Sequence, residues 1–286
     1  MSRYEKTPVQ HPPSAHPPGG PRPPALPHGQ RLWNSFHQSR AIASYAESVS
    51  NLTAVDYERL WLDAGAYNQD LLQKPVPLMF DEADRERYEA LLNVSGNGIM
   101  GYIEIPKISV SLPIYHGTEE SVLQIAVGHI EGSSLPVGGA STHCVLSGHR
   151  GLPSATLFSN LDQMDEGDVF LLRILDETLT YEVDQIHIVL PQESDDLTIV
   201  NNRDLCTLVT CTPYGINSHR LLVRGTRIEN QESASSAKIT AEAIRIDPVL
   251  VAPVAAVPML LVLFVLLTAP GGRRKAKKKS KPKKQP

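Results

Sequence analysis

Apolar residues recur along this chain with three different rhythms, and each predicts a different kind of structure. From about Trp33 to Leu92 the spacing is helical. Ala41, Ile42, Tyr45 and Val49 fall three and four residues apart, and Asp56 to Leu72 continues the pattern. Lys74-Pro75-Val76-Pro77 interrupts it, because proline lacks a backbone donor and steers its predecessor away from helix. A second, short helix is expected from near Asp81 or Asp84, with Tyr88, Leu91 and Leu92 on one face, and Ser95-Gly96-Asn97-Gly98 ends it. From Ile99 to Ile228 the chain turns to short runs of Val, Ile, Leu and Tyr punctuated by Gly and Pro. These predict strands near 101–105, 110–115, 143–148, 168–174, 178–184, 186–190, 205–210 and 220–228. Short helices fit 119–127, 155–161 and 195–199. So many strands with so few helices between them predict a mainly β fold, a closed or nearly closed eight-stranded barrel.

The third rhythm is no rhythm at all. Val249 to Thr268 contains no charge and no polar face, and a run of this length spans a bilayer core of ~30 Å at a rise of ~1.5 Å per residue. Pro253 and Pro258 within it are tolerated in membrane helices. The chain therefore divides into a Pro-rich disordered tail (1–30), a helical pre-barrel region (31–98) with a candidate lid at 74–81, and a barrel (99–229). A polar linker (230–247), a transmembrane helix (248–270) and a basic tail (271–286) follow.

Charge sharpens this picture. The formal net charge of -4 hides a segregation: Gly271 to Pro286 carries nine Lys/Arg and no acid. Between Asn51 and Pro270 there are 13 basic against 29 acidic residues. The basic tail places the C-terminus in the cytoplasm and the barrel outside the membrane. The acidic folded part excludes nucleic acid as a partner, since that needs clustered cations on the domain. No apolar signal-type core precedes Trp33, so the export this orientation requires draws on a signal not legible in these residues. The three cysteines, Cys144, Cys206 and Cys211, form no CxxC pair, hence neither a disulfide framework nor a zinc site is expected, and no cofactor is implied.

Two segments carry chemistry. In Thr207-Leu208-Val209-Thr210-Cys211-Thr212-Pro213-Tyr214-Gly215-Ile216-Asn217-Ser218-His219-Arg220, an apolar strand delivers Cys211 at its end and Arg220 opens the next strand. Antiparallel neighbours joined this way bring thiol and guanidinium to one rim of the sheet. A guanidinium there can hold a carbonyl or a developing oxyanion and favours the thiolate. In Val145-Leu146-Ser147-Gly148-His149-Arg150-Gly151 another strand ends at an imidazole, which could activate a thiol and later protonate a leaving amine. Cys144 and Cys206 sit inside apolar strands and read as packing residues; Cys206 and Cys211 point to opposite faces by the period of two. His143 and His219 lie beside the key residues, and spacing alone does not decide which histidine is the base.

The text from Gly101 to Ile228 closely resembles the sortases, above all the pilin-polymerising class C sortases of Gram-positive bacteria. The matching segments are Gly101-Tyr102-Ile103-Glu104-Ile105-Pro106-Lys107-Ile108, Leu112-Pro113-Ile114-Tyr115-His116-Gly117-Thr118 and Gly128-His129-Ile130-Glu131-Gly132-Ser133-Ser134-Leu135-Pro136-Val137-Gly138-Gly139. Ser147-Gly148-His149-Arg150-Gly151-Leu152-Pro153 and the Thr207 to Gly225 run complete the set, and His37 to Tyr45 extends it upstream. The resemblance implies an eight-stranded sortase barrel with Cys211 as nucleophile, His149 as acid/base and Arg220 positioning the substrate or its oxyanion. Thr210 matches a position associated with the substrate groove. The implied reaction cleaves an LPxTG-like sorting signal between Thr and Gly through a thioester. The acyl group then passes to an amine, either a pilin lysine or a cell-wall precursor. Many class C members carry an Asp-Pro-aromatic lid motif. Here the corresponding stretch, Lys74 to Asp81, lacks it, leaving Phe80 and Asp81 as candidates to occupy a groove.

Three functions fit these residues: pilus polymerisation, wall anchoring of surface proteins, and a non-catalytic adhesion barrel. A C-terminal anchor and a long pre-barrel region favour the first. A papain-like protease fits less well, because the order is His then Cys and no Asn partner is evident.

Overall fold

The computed structural model describes residues 27–73 and 81–230, with side chains from Trp33 onward. The tail up to residue 26, most of the candidate lid (74–80), and the expected linker, transmembrane helix and basic tail from 231 to 286 lie outside the described residues. Among the described residues no helix is long and apolar enough to cross a membrane.

Three helices come first: α1 (Pro27–Ser50), α2 (Ala54–Leu71) and α3 (Glu82–Ala90). α1 begins inside the Pro-rich segment expected to be disordered, because proline at a first helical position has its φ already set and loses no needed donor. The single long helical run read from the pattern is broken at Thr53. Its side chain accepts from Asp56 N while the Asp56 carboxylate receives the Thr53 backbone N–H, a reciprocal cap that starts α2. Asp81, the last residue of the candidate lid, caps α3, its Oδ1 accepting from Asp84 N at 2.8 Å.

The helices share one apolar core with the strands that follow. Tyr45 of α1 is 1% exposed; its hydroxyl donates to Met100 O at 2.9 Å and accepts from Leu175 N at 2.8 Å. Asn68 of α2 exchanges two hydrogen bonds with the Leu135 backbone. Tyr88 of α3 meets the His129 ring at 2.9 Å and accepts from Gly117 N at 3.0 Å.

The strands are β1 (Ile99–Ile105), β2 (Val110–His116), β3 (Val127–His129), β4 (Thr142–Ser147), β5 (Val169–Ile174), β6 (Glu177–Val189), β7 (Asp204–Thr212) and β8 (His219–Ile228), with a short helix, α4 (Glu120–Leu123), before β3. They close into a barrel in the order β1-β2-β3-β4-β7-β8-β6-β5. β2 runs parallel to β3 and β4 parallel to β7; the other neighbours are antiparallel.

The expected count of eight strands matches, but two of its members do not. The strands read at 178–184 and 186–190 are one strand, β6, whose pairing with β8 is irregular between Val183 and Gln185. A bulge of this kind shifts the alternation by one residue and mimics a break. The Asp184 side chain at this point receives Arg224 at 2.9 and 3.1 Å and Arg203 at 2.8 Å. β3 went unread because it has only three residues, the tail of what looked like a helix over 119–127. The helix expected at 155–161 is a series of turns closed by i to i+3 bonds such as Leu161 N to Phe158 O, followed by a 3-10 turn at Leu161–Gln163. A 3-10 turn also stands at Asp195–Leu197 in the β6–β7 connection, and another at Pro106–Ile108 between β1 and β2. In the last of these Lys107 meets Asp165 and Asp168, each at 2.6 Å. It is the one lysine among the described residues.

Candidate active site

Cys211 is the next-to-last residue of β7, and Arg220 is the second residue of β8. The two stand directly opposite each other in the antiparallel register, so their side chains leave the sheet on the same face. His149 reaches this place by a different route. β4 and β7 are parallel neighbours whose last paired residues are Ser147 and Val209. His149 and Cys211 each lie two residues beyond that pair. Adjacent strands are about 4.8 Å apart, so the three candidate residues collect at one end of the β4-β7-β8 stretch.

Hydrogen bonds continue past the end of the ladder. Gly148 N donates to Val209 O at 3.1 Å, and the Thr210 hydroxyl donates to Gly148 O at 2.7 Å. Thr210 is 2% exposed. Its position on β7 matches that of Leu208 and Cys206, inside the barrel, rather than that of Cys211. The expected groove contact by its side chain is therefore not what the geometry offers; the hydroxyl braces the strand that leads to His149. Gly148 is required here, since a Cβ would sit 2.7 Å from the Phe158 ring. Gly151, at φ +80, turns the chain where a Cβ would meet the Tyr214 ring at 2.7 Å.

The His149 side chain is 29% exposed, with Nε2 3.6 Å from Glu120 Oε2 on α4. The Cys211 thiol is half-buried and free. One guanidinium nitrogen of Arg220, Nη1, donates to Asn217 O at 3.3 Å and to His219 O at 3.1 Å, which ties the group to its own loop.

The rival histidines are placed elsewhere. His219 pairs with Thr212, one step along from Arg220, and so faces the other side of the sheet. His143 lies deep in β4, 1% exposed, with Nδ1 2.8 Å from Thr198 O and Nε2 2.7 Å from the Thr207 hydroxyl. Burial lowers its pKa, as it does for His116, whose ring meets Gly98 O and Leu91 O. A base whose folded pKa is depressed takes up its proton first in the unfolded chain, so stability is lost as pH falls below the ordinary value of 6.5. The carboxylates held low by partners, such as Asp196 beside His187, give up their contribution only below 3.8. The thermal midpoint should therefore fall between pH 7 and 5, and fall less in a His143→Gln variant. A midpoint that rises over this range would contradict the burial argument.

Cys144 and Cys206 face each other across the β4–β7 pair inside the barrel, 2% and 0% exposed. Burial pushes the Cys206 thiol well above the usual range. Both are packing residues. Among the described residues no group of His, Cys, Asp or Glu is arranged to hold a metal ion.

One feature escaped the sequence reading. On the same face as Cys211, residues Val145, Val209 and Leu222 form a second buried apolar cluster, with Ile130, Val189 and Leu197 packed against it. The signal was present, because β4, β7 and β8 are apolar at successive positions instead of alternating. Such strands are covered on both faces.

Comparison with known proteins fits this geometry. The Sortase domain family matches residues 103–228. Sortase C1 from Streptococcus agalactiae superposes with a TM-score of 0.66 at 50% sequence identity, over 67% of this chain and 100% of that one. The chain belongs to the sortase family. A Clostridium perfringens sortase C, solved with the C-terminal cell wall sorting motif, aligns at 41% identity and a TM-score of 0.60, over 67% of this chain and 100% of that one. Sortase D of Bacillus subtilis is 29% identical over 151 residues, 52% of this chain and 73% of that protein. This sortase is thus a cysteine transpeptidase whose structural neighbours are class C enzymes.

Proposed function

We propose that this sortase cuts an LPxTG-like sorting signal between Thr and Gly and joins the Thr carboxyl to the side-chain amine of a pilin lysine. Cys211 is the nucleophile. Its thiolate attacks the Thr carbonyl carbon, and the resulting oxyanion takes donors from Arg220. Collapse breaks the C–N bond, and His149 protonates the departing Gly amine. A thioester to Cys211 remains. The acceptor amine then attacks it, losing a proton to His149, and the thiolate leaves.

The observation that carries this reading is the register. Arg220 lies opposite Cys211, and His149 stands the same two residues past the last β4–β7 pair as Cys211 does. The buried cluster of Val145, Val209 and Leu222 lies on the same face as the thiol and supports the strands that carry Cys211 and Arg220. Support for a pilin acceptor comes from relatives. A Streptococcus pneumoniae sortase C at 43% identity is described in terms of pilin substrate specificity, and a sortase C1 at 42% identity belongs to a pilus island. In the same reading Val249 to Thr268 anchors the enzyme in the cell membrane, with the barrel outside and the basic tail in the cytoplasm.

The test offers the enzyme, with an LPxTG-bearing pilin, both a pilin acceptor and a wall-precursor amine. A ladder of covalent pilin multimers is expected. Adducts on the wall amine alone would overturn polymerisation in favour of wall anchoring. Unchanged multimer yield from a Cys211→Ala enzyme would leave only a scaffolding barrel.

A further inference from the structure

His149 stands where the regular structure ends. Beyond the Gly148 N to Val209 O bond, its segment leaves the ladder, and through Leu157 the backbone is irregular. An imbalance follows. Cys211 is held in the ladder by its pairing with Arg220 on β8, whereas His149 has one backbone bond of its own, from Phe158 N to His149 O at 3.1 Å. An imidazole on such a segment would wander relative to the thiol unless something crosses the gap.

The residue next to His149 crosses it. The Arg150 side chain is only 10% exposed. Its Nη1 donates to the Thr212 hydroxyl at 3.2 Å, and Thr212 is the residue next to Cys211. Its Nη2 meets Asp162 in the 3-10 turn at Leu161–Gln163 at 2.5 Å. Its Nε is buried without a hydrogen-bond partner. Burying a guanidinium is expensive, and leaving one donor unmade adds to the cost. Such an arrangement is poorly suited to stability and well suited to setting distance: a rigid planar fork with one prong on the cysteine strand and the other on the scaffold.

We propose that Arg150 is a positioning residue that sets the separation of His149 and Cys211 by bridging the backbone neighbours of both. It touches neither the thiol nor the substrate, and it rests on the roles given above to His149 and Cys211.

The experiment measures kcat and KM for cleavage of an LPxTG peptide by Arg150→Met, Arg150→Lys, Thr212→Val and Asp162→Asn enzymes, with thermal midpoints alongside. Misplacing a catalytic group by about 1 Å costs on the order of 10²-fold in rate. Both Arg150 variants should lose kcat to about that extent with KM unchanged. Thr212→Val, which removes the same bond without emptying the Arg150 site, should lose less in the same direction even if an Arg150 variant fails to fold. Combining it with Arg150→Met should add little further loss, since the two share one bond.

Full kcat in the Arg150→Lys enzyme would mean that charge, not the fork, matters, and would overturn the proposal. A loss confined to KM, or losses in the paired variant that simply multiply, would overturn it too. Failure of the underlying roles reads out separately: wild-type enzyme that forms no acyl adduct on Cys211, by mass spectrometry, would remove the catalytic assignment before any variant is made.

Discussion

An enzyme carrying Cys211→Ala forms no acyl adduct with a sorting-signal peptide and transfers nothing to an amine. The substitution deletes one sulfur from a half-buried side chain near the end of β7, where no other residue depends on it for a hydrogen bond among those described. The fold should therefore persist with little change in thermal midpoint. Activity should not. Removing the nucleophile of a covalent mechanism costs on the order of 10⁴–10⁶-fold in turnover. The other two thiols cannot substitute, since Cys144 and Cys206 face the barrel interior and are 2% and 0% exposed. Intact-mass measurement after incubation with the peptide decides it. An adduct on the variant, at any residue, would move the chemistry away from Cys211.

The second large effect belongs to Arg220→Lys. This change keeps the charge and still loses most of the acylation rate, on the order of 10²–10³-fold, the range for removing one donor to an oxyanion. Two backbone carbonyls, of Asn217 in the loop and His219 at the start of β8, already hold Nη1 of Arg220. That tether fixes the plane of the group, while its remaining donors are free to meet a substrate oxygen beside Cys211. A lysine has one nitrogen to do both, and its three donors rotate. Single-turnover acylation, followed by release of the Gly-containing fragment, separates this step from amine transfer. Unimpaired acylation would show that charge beside the thiol suffices and that the planar fork has no part in the reaction.

How much of this could be read from the chain differs by element. Cys211, His149 and Arg220 were legible because each stands at the end of an apolar strand with Gly or Pro close by, and topology does the rest. The barrel was legible for the same reason, with exceptions that have local causes. β3 is shorter than any periodic signal can register, and the irregularity at Asp184 made one strand look like two. For Thr210 the resemblance gave a position and not a direction: counting by twos from Cys206 places its side chain inward. Residues such as Arg150 and Asn68 act through contacts 62 and 67 positions away, and no local pattern announces those.

The ion pairs of Lys107 bear on what becomes of an acylated intermediate. The hydrogen bonds it donates to the Asp165 and then the Asp168 carboxylates raise its pKa, so this amine keeps its proton and has no lone pair to offer. Elsewhere among the described residues the basic side chains are arginines and histidines. Among the described residues, then, the chain offers no free lysine amine of its own to compete with a visiting acceptor for the acyl group.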